Sequence, residues 1–266
     1  MGRRLGRRRA RPARGHLHSR GGEGGVRVAL LSDVHANLPA LRAVLEALDP
    51  LQPEALWVTG DTVGYGGEPS EVIALLRERK AWLLQGNHDR AVATGEGLEL
   101  FNDLAAEAAA LHMSWLTETE RAFLEALPVV SEREGFTLCH GSLRDPMWEY
   151  VISAPLAAAS LALANTSFAC HGHTHVPALF VGGTNGLRTV RPAAGRTYEL
   201  GSRCVVNPGS VGQPRDGDAR AAYAMLDTGA ANVTFHRVAY PIEQAQRRIR
   251  ARGLPDIFAQ RLAVGV

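Results

Sequence analysis

Five short polar clusters interrupt the chain: Asp33-Val34-His35, Gly60-Asp61-Thr62-Val63-Gly64, Gly86-Asn87-His88-Asp89, His140-Gly141-Ser142 and Gly172-His173-Thr174-His175. Together they offer carboxylate, carboxamide and imidazole donors. Burying that many ionisable groups in one crevice is costly unless something compensates, and a pair of divalent cations is the natural compensator. The donor types suit Mn²⁺, Fe or Zn²⁺. Glycines flanking Asp61, Asn87 and His173 let the backbone turn sharply beside each donor, where a side chain would crowd a substrate.

Each cluster closely follows an apolar run, so the elements that position them can be read around them. Val26 to Leu31 is predicted as a buried strand, followed by a helix in which Leu38, Leu41, Val44, Leu45 and Leu48 recur after the N-cap Asn37. Ala55 to Thr59 and Ala81 to Gln85 are the next strands, with a helix from Glu68 to Arg79 between them. Leu100 to Leu127 is helical twice, with one stripe of Phe101, Leu104, Ala108, Leu111 and Trp115, and a Thr117-x-x-Glu120 capping box opening the second helix. Strands at Phe136 to Cys139 and Ser167 to Cys170 flank an alanine-rich helix, Ala154 to Ala164. Short strands then follow at Ala178 to Val181, Cys204 to Val206, Ala221 to Leu226 and Val233 to Tyr240, before a last helix that starts at Pro241 and ends at Gly253. Parallel pairing in the first half and antiparallel pairing in the second make an α/β fold. In an open α/β sheet the carboxyl ends of the strands face one crevice, so clusters scattered in sequence can meet there.

The bulk composition agrees with such a fold. The 266 residues are 45% hydrophobic and 21% charged, which excludes a chain disordered throughout and a collagen-like repeat. The longest interior apolar stretch, Ala154 to Ala164, falls well short of the roughly 20 residues of a membrane span, so no membrane role is expected. Cys139, Cys170 and Cys204 are an odd count without close spacing, which removes a disulfide framework and a Cys-x-x-Cys zinc site and points to a reducing, cytoplasmic setting. The net charge of +2 hides an asymmetry: residues 1–25 carry eight arginines against one acid, Glu23. This Arg/Gly-rich leader is expected to be disordered and separate from the domain at 26–266. It could tether nucleic acid, or its arginines could reflect genome composition or an early start codon; it has no aromatics for base stacking.

The ordered set D-x-H, G-D-x-x-G, G-N-H-D, H and G-H-x-H, from Asp33 to His175, resembles the calcineurin-like metallophosphoesterase superfamily, and the small bacterial single-domain members most of all. The resemblance reaches from Val26 to the Gly209-Ser210-Val211-Gly212 stretch. It implies a four-layer α/β/β/α sandwich of two mixed sheets flanked by helices. By motif it implies that Asp33, His35 and His175 bind one metal ion, that Asn87, His140 and His173 bind a second, and that Asp61 bridges them. Mn²⁺ is the first choice, with Fe or Zn²⁺ as alternatives. It further implies hydrolysis of a phosphodiester or phosphomonoester by metal-bound hydroxide, with His88 as general acid rather than ligand.

One departure separates the chain from the protein-phosphatase branch, whose second block reads G-D-x-x-D-R-G; Gly64 and Tyr65 stand in the places of that Asp and Arg. Gripping phosphate then falls to other groups, and Arg90, Arg144 and Arg215 are the candidates because each lies within a few residues of a motif or a Gly/Pro loop. Tyr65, Trp148 and Tyr150 are candidates for the pocket wall or for core. Asp89 is read either as a cap or as catalytic, His112 and His236 as structural, and His171, which alternation turns away from His173, as a neighbour of the ligand set and not a member of it. The expected partner is a phosphorylated small molecule or nucleotide. Alternatives are an idle binding scaffold of the same fold, which retention of His88 and all the ligand types disfavours, and a nucleic-acid or dinucleoside polyphosphate hydrolase, for which only the basic leader speaks. Deleting residues 1–25 is expected to leave hydrolysis of small phosphate esters unchanged; a large loss of turnover in the truncated protein would place the leader in the site.

Overall fold

Strand β1 (Arg27–Leu31) shows why the chain folds in layers. Its Val28 and Leu30 point to one buried cluster and its Ala29 and Leu31 to another, so both faces of the strand are covered. The computed structural model describes residues 25–184 and 186–266. The leader therefore lies almost wholly outside the described residues.

After β1 come α1 (Leu38–Leu48), β2 (Ala55–Val58), α2 (Pro69–Glu78), β3 (Trp82–Leu83), α3 (Asn87–Thr94), α4 (Asp103–Trp115) and α5 (Glu118–Glu125). The second half runs β4 (Val130–Arg133), β5 (Phe136–Cys139), α6 (Ala154–Leu161), β6 (Phe168–Cys170), β7 (Ala178–Gly183), β8 (Gly186–Val190), β9 (Thr197–Glu199), β10 (Cys204–Asn207), β11 (Ala221–Asp227), β12 (Asn232–Val238), α7 (Ile242–Ala251) and α8 (Asp256–Val264). Two six-stranded sheets result, in the orders β3-β2-β1-β11-β12-β9 and β4-β5-β6-β10-β7-β8. Each is parallel among β1, β2 and β3 or among β5, β6 and β10, and antiparallel beyond. This is the four-layer arrangement of two mixed sheets flanked by helices.

The layers follow from alternation. Leu30, Trp57, Phe136, Leu138, Leu179, Val206 and Leu226 fill the space between the sheets. Leu31, Leu41, Val72, Tyr223, Ile249 and Phe258 pack the first sheet against α1, α2, α7 and α8, and Phe180 and Val205 pack the second against α6. Asn37 caps α1 through its side-chain oxygen, 3.1 Å from the Ala40 N–H, and Thr117 and Glu120 form the expected capping box on α5.

Several elements differ from the sequence reading. α4 begins at Asp103, capped by Asn102, so Phe101 precedes the helix instead of belonging to its stripe. The buried face of α4 is Ala105, Ala108, Ala109 and His112, while Leu104 is exposed. α3 starts within the Gly86-Asn87-His88-Asp89 cluster, and β3 is only two residues long. α7 is not the last helix, because Leu254 and Pro255 turn the chain into α8. Strands β4, β8 and β9 are exposed edge or hairpin strands with weak alternation, which left little pattern to read. Among the described residues no helix is long and apolar enough to cross a membrane.

Leu30 is fully buried between the sheets. Leu30→Ala is expected to lower unfolding stability by about 3 kcal/mol, read as a lower urea midpoint with an unchanged denaturant slope.

Candidate metal centre

The five clusters meet where the two sheets present the carboxyl ends of their parallel strands. Asp33 and His35 follow β1, Asp61 follows β2, Asn87 and His88 follow β3, His140 follows β5, and His173 and His175 follow β6. Asp33, His35, Asp61 and His175 present donor atoms within 4.8 Å of one another, and so do Asp61, His140 and His173. Asp61 is common to both groups. Its Oδ2 lies 3.6 Å from His35 Nε2 and 3.2 Å from His140 Nε2, so a single carboxylate oxygen faces both. Asn87 Oδ1 reaches the second group, 3.1 Å from His140 Nε2.

The imidazoles are fixed from behind. His35 Nδ1 donates to the Val63 carbonyl (3.0 Å), His140 Nδ1 to Thr59 (2.8 Å), His175 Nδ1 to Gln213 (2.6 Å) and His173 Nε2 to Trp148 (3.2 Å). A carbonyl can only accept, so in every ring the rear nitrogen carries a hydrogen, and in each neutral ring the forward nitrogen is left with its lone pair. Those forward nitrogens crowd together: His35 and His175 approach to 3.0 Å through their Nε2 atoms, and His140 Nε2 lies 3.0 Å from His173 Nδ1. Two lone pairs at that distance need a positive charge between them. A proton on one ring relieves one such contact, while a cation in each group relieves both and also neutralises the two buried carboxylates. The residues therefore fit a pair of divalent ions.

The balance of the protein groups alone points the same way. Burial is the largest influence throughout. It lifts Asp33 to about 7, opposed by the charge of His140. Burial also holds His35 and His175 well below the ordinary imidazole range and takes His173 down to about 3. His140 is the exception: burial would lower it, but the adjoining Asp61 carboxylate carries it up to about 9.

The backbone is bent to deliver these donors. Asp33, His35, Asp61, His173 and His175 all have left-handed φ, between 49° and 66°. Non-glycine residues rarely adopt that region, and when they do Asp, Asn and His are the favoured types. Cross-links hold the bends. The Asp33 carboxylate accepts the His173 N–H, Ser210 Oγ donates to the Asp33 carbonyl, and the Asn207 side chain donates to the Gly172 carbonyl and to Thr174 Oγ1. Gly86 must be glycine here, since a Cβ would lie 2.1 Å from Asp61 Oδ1.

His88 sits beside the clusters without reaching into them. Its backbone N–H donates to Asp61 Oδ1 (2.9 Å), while its ring stacks on Phe101 (4.5 Å between centroids, 28°) and lies tilted against Tyr65 (4.5 Å). Nδ1 is buried with no hydrogen-bond partner among the described residues, which leaves Nε2 for the cavity. Burial pushes this imidazole down to about 4. Where the protein-phosphatase branch places an aspartate, Gly64 abuts the ring: a Cβ there would lie 2.5 Å from His88 Nδ1, at a φ of +94°. The ring is thus oriented by aromatic packing. His112 secures that turn, accepting the Gly64 N–H at Nδ1 (3.1 Å) and donating from Nε2 to the Gly66 carbonyl (2.8 Å).

A cavity of about 230 Å³ opens over the clusters, lined by Asp61, Asn87, His88, His173 and His175, with Tyr65, Phe101, Trp148 and Tyr150 among its walls. Tyr150 stacks on His173 at 4.1 Å. Of the three arginines singled out in the sequence, Arg215 lines this cavity, together with Arg261 of α8, which the sequence reading passed over. Arg90 instead pairs with Glu96 and borders a neighbouring recess, and Arg144 pairs with Glu149 at the surface. Asp89 is a cap: its carboxylate accepts the Gly86 and Val63 N–H groups. His171 points away from the clusters, towards Cys139 and Ser160, and His236 stacks on Tyr223.

The chain is similar to known proteins over nearly all of this architecture. The calcineurin-like phosphoesterase superfamily domain matches residues 26–231. An uncharacterised protein of Methanocaldococcus jannaschii, MJ0912, is 32% identical over 244 residues, 90% of this chain and 98% of that one. The crystal structure of a metallophosphoesterase from Sphaerobacter thermophilus superposes with a TM-score of 0.82 at 38% identity, covering 91% of this chain and all of that one. The hypothetical protein PH1004 from Pyrococcus horikoshii shares the fold at a TM-score of 0.77 and 22% identity, over 91% and 99% of the two chains.

Gly64→Ala is expected to displace the His88 ring, read as a shift of its imidazole resonances by NMR, while the thermal midpoint falls by no more than a few degrees and bound metal measured by elemental analysis stays at the wild-type ratio.

Proposed function

The chain belongs to the calcineurin-like phosphoesterase superfamily, and from that premise we propose that it is a dinuclear, divalent-metal-dependent hydrolase of phosphomonoesters or phosphodiesters. The observation that carries the reading is the set of four imidazoles, each tied back to a main-chain carbonyl and each turning its other nitrogen towards a buried carboxylate. Asp33, His35 and His175 would hold one ion and Asn87, His140 and His173 the other. Asp61, facing both groups through one oxygen, would serve both. The absence of thiolate from this donor set favours manganese, with iron or zinc as alternatives. When bound, the ions supply Lewis acidity that activates water and takes up charge on the phosphoryl oxygens.

The remaining steps belong to the protein. His88, stacked on Phe101 and flanked by the tilted Tyr65 ring, would offer Nε2 to the oxygen of the leaving group. The imidazole is neutral at pH 7, and an anionic phosphoryl group entering the cavity draws its pKa upward, towards the range in which it can hand over a proton. Arg215 brings a positive charge to the same cavity for the phosphoryl oxygens. The aromatic walls and the cavity's size suit a phosphorylated small molecule or a nucleotide. A reducing, cytoplasmic setting accords with three buried, unpaired cysteines.

Two variants separate the roles when a chromogenic diester and a matched monoester are assayed with added Mn²⁺. His88→Ala is expected to slow turnover by about a hundredfold or more with metal content intact. Asp61→Asn is expected to lose both metal and turnover, because a carboxamide cannot share charge between two ions. Metal loss in His88→Ala would overturn the assignment, and no turnover of either ester by the metal-loaded wild type would overturn the hydrolase reading.

A further inference from the structure

The loop from His140 to Tyr150, between β5 and α6, supplies one imidazole of the second donor group at its start and grips another at its end. It is folded back on itself. The Gly141 N–H donates to the Pro146 carbonyl (2.7 Å) and the Ser142 N–H to that of Asp145 (3.0 Å), while Asp145 Oδ1 accepts the Met147 and Trp148 N–H groups (3.2 and 3.1 Å). Gly141 is confined at this fold, where a Cβ would lie 2.7 Å from the Asp145 carbonyl oxygen. These bonds bring Glu149 beside Ser142, seven residues earlier.

Glu149 closes the loop. Its Oε2 accepts from Ser142 Oγ and from Arg144 Nε (3.0 Å), and its Oε1 from Arg144 Nη2, so the guanidinium meets the carboxylate as a fork. Ser142 is fully buried, and its hydroxyl oxygen also accepts the Arg144 and Asp145 N–H groups at 3.0 and 3.2 Å. The hydroxyl hydrogen is left for an acceptor, and an ionised carboxylate can only accept. Arg144 is half-exposed, so its ion pair adds little to global stability and the consequence of the closure is local.

The residues on either side of Glu149 both hold His173. The Trp148 carbonyl accepts from His173 Nε2 (3.2 Å), and the Tyr150 ring stacks on the imidazole at 4.1 Å and 15°. His173 Nδ1 is thereby turned to within 3.0 Å of His140 Nε2, at the other end of the same loop. The first donor group is backed from elsewhere, His35 by Val63 and His175 by Gln213. A partner behind a ligating imidazole fixes the ring, and losing such support costs about ten- to a hundredfold in metal affinity.

Resting on the two-ion reading above, we propose that Glu149 is a positioning residue. By clasping Ser142 and Arg144 it holds the 140–150 loop in the shape that aims His173. It thereby sets the affinity of the group of Asn87, His140 and His173 for its ion and leaves the group of Asp33, His35 and His175 unchanged.

The test titrates metal-free wild type, Glu149→Ala and Glu149→Gln with Mn²⁺, following the free ion by electron paramagnetic resonance. Glu149→Ala is expected to weaken one of the two ions at least about tenfold and the other less than about twofold, and Glu149→Gln, whose amide oxygen still accepts from Ser142, to recover most of the loss. Proton–nitrogen spectra of the metal-free proteins identify the group affected: the His173 Nε2–H resonance shifts in Glu149→Ala, while the Nδ1–H resonances of His35 and His175 stay. Ser142→Ala removes the other half of the clasp, is expected to weaken the same ion, and carries the test if Glu149→Ala does not fold. Equal weakening of both ions, weakening of neither, no recovery in Glu149→Gln or an unmoved His173 resonance would overturn the inference. A wild type that takes up fewer than two ions would sink the two-ion reading instead, and the clasp is then decided by the His173 resonance, which needs no metal.

Discussion

Everything at this site depends on burying two carboxylates and four imidazoles where water cannot solvate them. Asp33, Asp61, His35, His140, His173 and His175 are each at most 5% exposed. The protein solves half of the problem itself by giving each ring's rear nitrogen a carbonyl to bond. That solution creates the other half, because it leaves the forward nitrogen of each neutral ring as a lone pair and aims these nitrogens at one another and at the carboxylates. The tautomers and the convergence are one constraint, and it selects for cations.

The fold serves that constraint through geometry. β1, β2 and β3 of one sheet and β5 and β6 of the other all end at the same rim, so the donors of five sequence-distant loops lie within five residues of a strand end. Short loops cannot turn so sharply with ordinary dihedrals, which is why the donors themselves sit in the left-handed region. The local strain is offset by bonds that tie one loop to another: Asp33 to His173, Asp61 to His88, and Asn207 and Ser210 to both sides. The loops therefore brace one another before any ligand arrives.

How much of this was legible in the sequence follows from the kind of signal each part leaves. β1, α1, β2, α2, β5, α6 and β6 carry strong periodicity or a clear cap, and the donors sit immediately after strands, so the layers and the gathering of the clusters were readable. The extent of α4 was misread because the apolar Phe101 falls in phase with the helix, although Asn102 followed by Asp103 was a cap signal that could have corrected it. Asp89 left a partial signal, a cap reading that its bond to the Gly86 N–H bears out, whereas its bond to Val63 and both bonds of His112 reach main-chain groups of a distant turn and left none. Arg261 was out of reach for a different reason: its place in the cavity wall depends on α8 folding back over the cavity, a long-range placement that no local pattern announces.

The substitution of Gly64 and Tyr65 for an Asp-Arg pair is more than a missing motif, because the structure gives both residues work. A side chain at position 64 would meet the His88 ring at its Cβ, and the ring is held instead by stacking on Phe101 and by the tilted Tyr65 ring. A ring held by packing keeps its position without a fixed negative charge behind it, and burial then leaves it neutral. Tyr65 performs a second task on its other side, where it lies against Arg215 and Phe258. One residue thus joins the packing around His88 to Arg215, and positive charge enters the cavity from the loop after β10 and from α8, through Arg215 and Arg261.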